Sequence, residues 1–157
     1  MRVLYFAYGS NMLSERLCSR IPSAKAIGRA LLEDWVVVFN KRSKDGTGKA
    51  NLVEKSGAVT WGVIYEINVQ DLEVLDRVEG GYKRLTVHVQ KSGGDEVEAT
   101  TYISENLTDD PTAHRWYKDM ILSGAHEHNL PQSYIAYLEE LPVKSNSNSE
   151  NGRTHKD

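Results

Sequence analysis

Tyr5-Phe6-Ala7-Tyr8-Gly9-Ser10-Asn11-Met12 decides how this chain is read. Val3 to Ala7 is an apolar run of β-branched and aromatic residues with no charge after Arg2, the pattern of a short buried strand. Gly9-Ser10-Asn11 breaks it. From Met12 to Arg20 the spacing turns helical, with Met12, Leu13 and Leu17 on one side and Glu15, Arg16 and Arg20 on the other. Strand, tight turn and helix follow one another. Such a turn presents backbone N–H groups, backed by a helix dipole, to a small anion such as a carboxylate or phosphate. A plain helix cap by Ser10 or Asn11 is the alternative.

Working outward, Ile21-Pro22-Ser23 stops the helix and Ala24 to Leu32 is extended. Glu33-Asp34 reads as a turn, Trp35 to Phe39 as a strand, Lys41 to Lys49 as a surface loop, and Asn51 to Val53 as a short strand. Val59 to Ile67 has two partly apolar faces and suits a central strand. Asn68 caps a helix that buries Leu72, Val74, Leu75 and Val78 and ends at Glu79-Gly80-Gly81. Lys83 to Gln90 and Glu96 to Ile103 form a hairpin about Ser92-Gly93-Gly94-Asp95. Asp109-Asp110-Pro111 opens a helix carrying Trp116, Met120 and Ile121, which Gly124 weakens and Asn129-Leu130-Pro131 ends. Gln132 to Leu141 is the last helix, with Ile135, Leu138 and Leu141 buried. About seven strands and four helices make an α+β domain over residues 1–143: a small, mostly antiparallel β-barrel with flanking helices. Residues 144–157 are Ser, Asn and charge without hydrophobes, a disordered polar tail.

The bulk numbers narrow the function. The 157 residues allow one domain with a real core, and 39% hydrophobic with 26% charged residues is ordinary for a globular protein. A net charge of -3, with no basic run beyond two residues, argues against nucleic acid. No apolar run approaches the roughly 20 residues that span a membrane, and the apolar start is too short for a signal peptide. One cysteine, Cys18, excludes an internal disulfide and fits a reducing, cytoplasmic setting; it reads as a buried inert thiol. The oligomeric state stays open between monomer and homodimer.

Two places could carry chemistry. One is the turn. The other is Glu79, an acid between Val78 and Gly80-Gly81 where a helix gives way to a strand. Its glycines leave it uncovered, and a negative charge at a helix C-terminus is unfavourable. A solvated acid at a helix end is the alternative. His114, His126 and His128 make no metal motif: twelve residues separate the first two, and the last two point to different sides. They read as solvated, and His88 as outward-facing. Tyr8, Tyr82, Tyr102 and Tyr117 are by default core or strand aromatics. No serine-nucleophile, Walker or dinucleotide fingerprint is present.

Taken together, Tyr5 to Met12, Trp61-Gly62-Val63 and Leu75-Asp76-x-x-Glu79-Gly80 followed by Tyr82 resemble the γ-glutamylcyclotransferase superfamily. The run from Ile121 through Gly124-Ala125-x-Glu127 and Leu130-Pro131 to Tyr134 and Leu138 is similar to its γ-glutamylcyclotransferase branch. The resemblance implies a small β-barrel with flanking helices and no cofactor or metal. It implies a cyclising acyl transfer, classed with the lyases, within glutathione-linked metabolism. The α-amine of a small-molecule γ-glutamyl amino acid attacks its own γ-carbonyl, releasing 5-oxoproline and the free amino acid. By the same resemblance Tyr8, Gly9, Ser10, Asn11 and Met12 hold the substrate's α-carboxylate, Glu79 is the acid/base, and Tyr82 and Tyr117 line the pocket. The Gly80-Gly81 link is shorter than in animal-type members, so a γ-glutamylamine or other γ-glutamyl metabolite is the alternative substrate. A non-catalytic γ-glutamyl-binding or scaffold protein is a further alternative.

Overall fold

The computed structural model describes residues 1–144. Five strands close into a barrel in the order β1-β3-β2-β4-β5: β1 Arg2–Ala7, β2 Lys25–Arg42, β3 Gly48–Asn68, β4 Lys83–Lys91 and β5 Glu96–Ile103. All neighbours run antiparallel except β1 and β5, which pair in parallel at Tyr5 and Thr100 and complete the ring. Closure gives each of the five strands a partner on both sides. Four helices flank the barrel: α1 Ser14–Arg20, α2 Leu72–Val78, α3 Arg115–Glu127 and α4 Gln132–Glu139.

The strand count is five rather than seven because two expected pairs are continuous. Ala24–Leu32 and Trp35–Phe39 are halves of β2, and Asn51–Val53 and Val59–Ile67 are halves of β3. The Glu33-Asp34 turn signal is real, but it bends the strand instead of reversing it. Asp34 takes a positive φ of 71°, and the β2–β3 register shifts between Glu33/Trp35 while residues 55–58 of β3 bulge opposite. Gly57, with φ 86°, donates its N–H to Asp34 Oδ1 at 3.0 Å and pins the bend. Such bends let an 18-residue and a 21-residue strand wrap a small barrel. The expected surface loop shrinks to residues 43–47, because Lys41 pairs with Lys49 and Arg42 with Gly48 across the hairpin.

The core lies between the barrel and helices α1, α3 and α4. Phe6, Met12, Leu17, Phe39, Ile64, Tyr65, Leu75, Ile121 and Leu138 are fully buried. β3 is central, paired with β1 on one side and β2 on the other, as its two apolar faces require. The helix expected from Asp109 begins only at Arg115: Thr112 bonds back to Asp110, and Ala113 N–H reaches Pro142 O. Lys144 is still tied in, its N–H bonding Ala113 O at 2.8 Å. The polar tail from 145 on lies outside the described residues.

Candidate active site

The turn after β1 and the end of α2 meet at one end of the barrel. Asn11 Nδ2 donates to Glu79 Oε2 at 2.7 Å and to Tyr5 OH at 3.0 Å. Sixty-eight residues apart in sequence, the two candidate stretches are in direct contact. Asn11 Oδ1 is buried and has no partner among the described residues.

The turn differs locally from the expected helix start. Ser10–Met12 form a 3₁₀ turn, Leu13 is extended (φ -74°, ψ 114°), and α1 starts only at Ser14. The N–H groups of Met12 and Leu13 close back on Gly9 O and Ser10 O, at 3.0 and 3.2 Å. Met12 therefore braces the turn from the core, its side chain fully buried, and its N–H is already engaged. The turn rests on β3 and α3: from β3, Tyr65 OH donates to Met12 O at 2.9 Å; from α3, Glu127 Oε1 accepts the Ser14 N–H at 3.0 Å and Gly124 lies directly beneath Met12. Ser10 Oγ accepts from Arg16 Nε at 3.0 Å.

Glu79 leaves α2 with its N–H bonded to Leu75 O and its carbonyl taking the Tyr82 N–H. Gly81, at φ 88°, turns the chain into β4, where its carbonyl accepts from Ser104 Oγ at 2.7 Å. Glu79 as a residue is half-buried, yet protein closely surrounds its carboxyl. That desolvation raises its pKa above the ordinary carboxylate value, against the opposing pull of Arg20, the Asn11 hydrogen bond, Arg16 and Lys49. A carboxylate shifted this way is a better base than a solvated one.

Tyrosines wall the recess. Tyr82 OH donates to Ala50 O at 2.6 Å and Tyr117 OH accepts the Ala50 N–H at 3.1 Å, so the two side chains clamp one residue of β3. Tyr8 OH donates to Tyr102 O at 2.6 Å. Burial raises the pKa of Tyr5, Tyr8 and Tyr82 well above the usual phenol value, and that of Tyr117 to about 12, so all four stay protonated at neutral pH. An inner recess of about 40 Å³ opens into an outer cleft of about 670 Å³; Ser10, Glu79, Tyr82 and Tyr117 border both.

The structure thus gathers Tyr8, Gly9, Ser10, Asn11, Glu79, Tyr82 and Tyr117 around one recess. Tyr5 lines it too, a residue that sequence reasoning took for strand alone; a hydroxyl in an otherwise apolar strand was the available signal. Two histidines are not solvated as expected. His114 Nε2 lies 2.8 Å from Asp45 Oδ2 at the cleft, and His128 packs edge-on against Tyr65 with Nε2 3.3 Å from Ser14 Oγ. Among the described residues no group of three His, Cys, Asp or Glu side chains is placed to hold a metal ion.

Residues 59–138 match the AIG2-like family. The gamma-glutamylcyclotransferase of Homo sapiens is 36% identical over 147 residues, covering 88% of this chain and 78% of the relative; that of Mus musculus is 35% identical over the same length. A solved gamma-glutamyl cyclotransferase structure superposes with a TM-score of 0.85 at 30% identity, covering 96% of this chain and 97% of the other. The matched length, the barrel and the contact between turn and acid agree: this chain belongs to the AIG2-like, γ-glutamylcyclotransferase family.

Proposed function

We propose that this protein cyclises γ-glutamyl amino acids by internal aminolysis, releasing 5-oxoproline and the free amino acid. The 2.7 Å contact between Asn11 and Glu79 carries the reading, because it brings a carboxylate-binding turn within reach of a raised-pKa acid across one small recess. At neutral pH the substrate's α-amine is an ammonium and cannot attack. Ionised Glu79 takes its proton and the freed amine adds to the γ-carbonyl. As the C–N bond breaks, Glu79 gives that proton to the departing nitrogen and the attacking nitrogen sheds a second one to it, so the lactam keeps one N–H, the amino acid leaves as its ammonium and Glu79 is ionised again. Atoms balance without a co-reactant. Acid/base work of this kind contributes about 10²–10⁴ in rate.

The turn anchors the other end of the glutamyl unit. With Met12 and Leu13 amides closed within the turn, the amides of Gly9, Ser10 and Asn11 are the ones to meet the α-carboxylate. Buried Asn11 Oδ1 offers an acceptor for the α-ammonium. Held at both ends, amine and carbonyl lose little further freedom on ring closure. Half-buried Cys18, the sole thiol, fits a cytoplasmic enzyme.

The test is 5-oxoproline release from γ-glutamyl dipeptides, γ-glutamyl amines and glutathione. Glu79→Gln keeps the fold and lowers kcat by about 10²–10⁴. A Glu79→Gln enzyme that forms 5-oxoproline at near the wild-type rate refutes the assignment.

A further inference from the structure

The outer cleft is far more basic than the chain. Arg16, Arg20, Lys41, Lys44 and Lys49 line it, although the protein carries a net charge of -3. Of the two acids at its wall, Glu79 is the reacting group and Asp45 is held by Ser43, Thr47 and His114.

Lys41 and Lys49 stand out among these cations. They are direct register partners across the β2–β3 hairpin, so both side chains leave the same face. Like charges placed directly opposite destabilise a sheet. Each ammonium lies over a ring of the active-site wall: Lys41 Nζ is 5.3 Å from the Tyr82 centroid and Lys49 Nζ is 5.1 Å from that of Tyr117. Lys41 is only 9% exposed, its ammonium close against Gly81, and it makes no ion pair with a carboxylate among the described residues. Desolvation lowers its pKa, against the opposing pull of Glu79 at the same cleft, so the cost of burying the charge is only partly offset.

The geometry follows from the walls. Tyr82 and Tyr117 border both the inner recess and the outer cleft, and the two ammoniums lie at the cleft. On the cyclotransferase reading, a glutamyl unit anchored at Gly9–Asn11 would pass its γ-carbonyl by Glu79, which borders both spaces, and its leaving group would extend into the cleft that the lysines line. We propose that Lys41, with Lys49 opposite, is the specificity-determining residue that receives a carboxylate on the leaving group. This rests on the cyclotransferase reading above. It makes the enzyme select leaving amino acids over leaving amines, and it comes from the hairpin, not from the short Gly80-Gly81 link.

The test compares γ-glutamyl-alanine with γ-glutamyl-alaninamide, which differ only in carboxylate against carboxamide. The wild type favours the carboxylate in kcat/KM by about tenfold or more, the range of a charged hydrogen bond. Lys41→Met, close in length and uncharged, brings the ratio to within about threefold of unity, and Lys41→Arg keeps the preference, since it restores the charge. A wild-type ratio near one overturns the inference and needs no variant to fold. So does a Lys41→Met ratio equal to the wild-type one. In both cases 5-oxoproline still forms and the cyclotransferase reading stands. No 5-oxoproline from either compound overturns that reading, and this one with it.

Discussion

Gly124→Ala is the sharpest probe of how the turn is held. A Cβ at position 124 would sit 2.7 Å from Leu13 N and 2.8 Å from both Met12 C and Met12 Cβ. Ordinary contact begins near 3.4 Å, so turn and helix must part by about 0.7 Å. Two of those three atoms are backbone, and they belong to the turn whose Asn11 reaches Glu79. A shift of that size stretches the 2.7 Å Asn11–Glu79 bond to the edge of hydrogen bonding and displaces the amides proposed to meet the substrate. Misplacement of about 1 Å is enough for a roughly 10²-fold loss, so kcat/KM should fall by about 10- to 100-fold.

Stability moves less. Overpacking costs about 1–3 kcal/mol, and Ala recovers roughly 1 kcal/mol of helix propensity over Gly. The net loss is about 1 kcal/mol, or roughly 2–4 °C in Tm for a chain of this length. Thermal unfolding confirms that the variant is folded at the assay temperature, and 5-oxoproline release then reads the active site. Gly93→Ala, in a hairpin turn with open space around it, is the control and should leave both unchanged. A folded Gly124→Ala enzyme within twofold of wild-type kcat/KM would show that the turn does not depend on α3 for its position.

Two further predictions concern stability. Glu79 has a raised folded-state pKa, so its ionisation opposes folding: that penalty is absent below the unfolded value near 4.5, grows as pH rises through the folded value, and is full above it. Glu79→Gln should therefore be more stable than wild type in urea at pH 7, with the gap closing by pH 4; an equal gap at both pH values contradicts the burial argument. Lys118, buried on α3, donates to Glu139 O and, at 2.9 Å, to Leu141 O, holding the end of α4. Lys118→Met should lose about 1–3 kcal/mol in a denaturant titration, and no loss would mean that water takes those carbonyls without penalty.

Local signals in the sequence are legible wherever one segment determines the outcome. The β1 strand with its turn, α2 ending at Glu79 and the Ser92–Asp95 hairpin are such cases, and alternation places Val87 and Val89 inward with His88 outside. The signals mislead where a partner decides. Glu33-Asp34 has the chemistry of a reversal, but pairing on both sides of the kink keeps β2 continuous. Asp109-Asp110-Pro111 has the chemistry of a helix start, but Ala113 is claimed by Pro142 and Val143 from the end of the domain. Gly124 reads as a weak point of its helix, and only the turn packed on it shows that the missing side chain is what lets Met12 approach. Lys41 and Lys49 look like loop residues until the hairpin register makes them partners.

Charge shows the same limit and explains how the acid is tuned. A net charge of -3 describes the chain but not the cleft, because the fold collects single cations from α1 and from both strands of the β2–β3 hairpin. Those cations alone would hold Glu79 ionised and weakly basic, since Arg20, Arg16 and Lys49 all pull its pKa down. Burial alone would push the pKa up without limit from nearby positive charge, favouring a protonated acid unable to accept a proton. The two act together, and burial wins, so the carboxyl holds its proton more tightly than a solvated one while still facing a positive field that tolerates its ionised form. The acid/base role proposed for Glu79, first taking a proton and then returning it, needs that balance, and here it arises where a barrel end, a tyrosine wall and a basic hairpin converge.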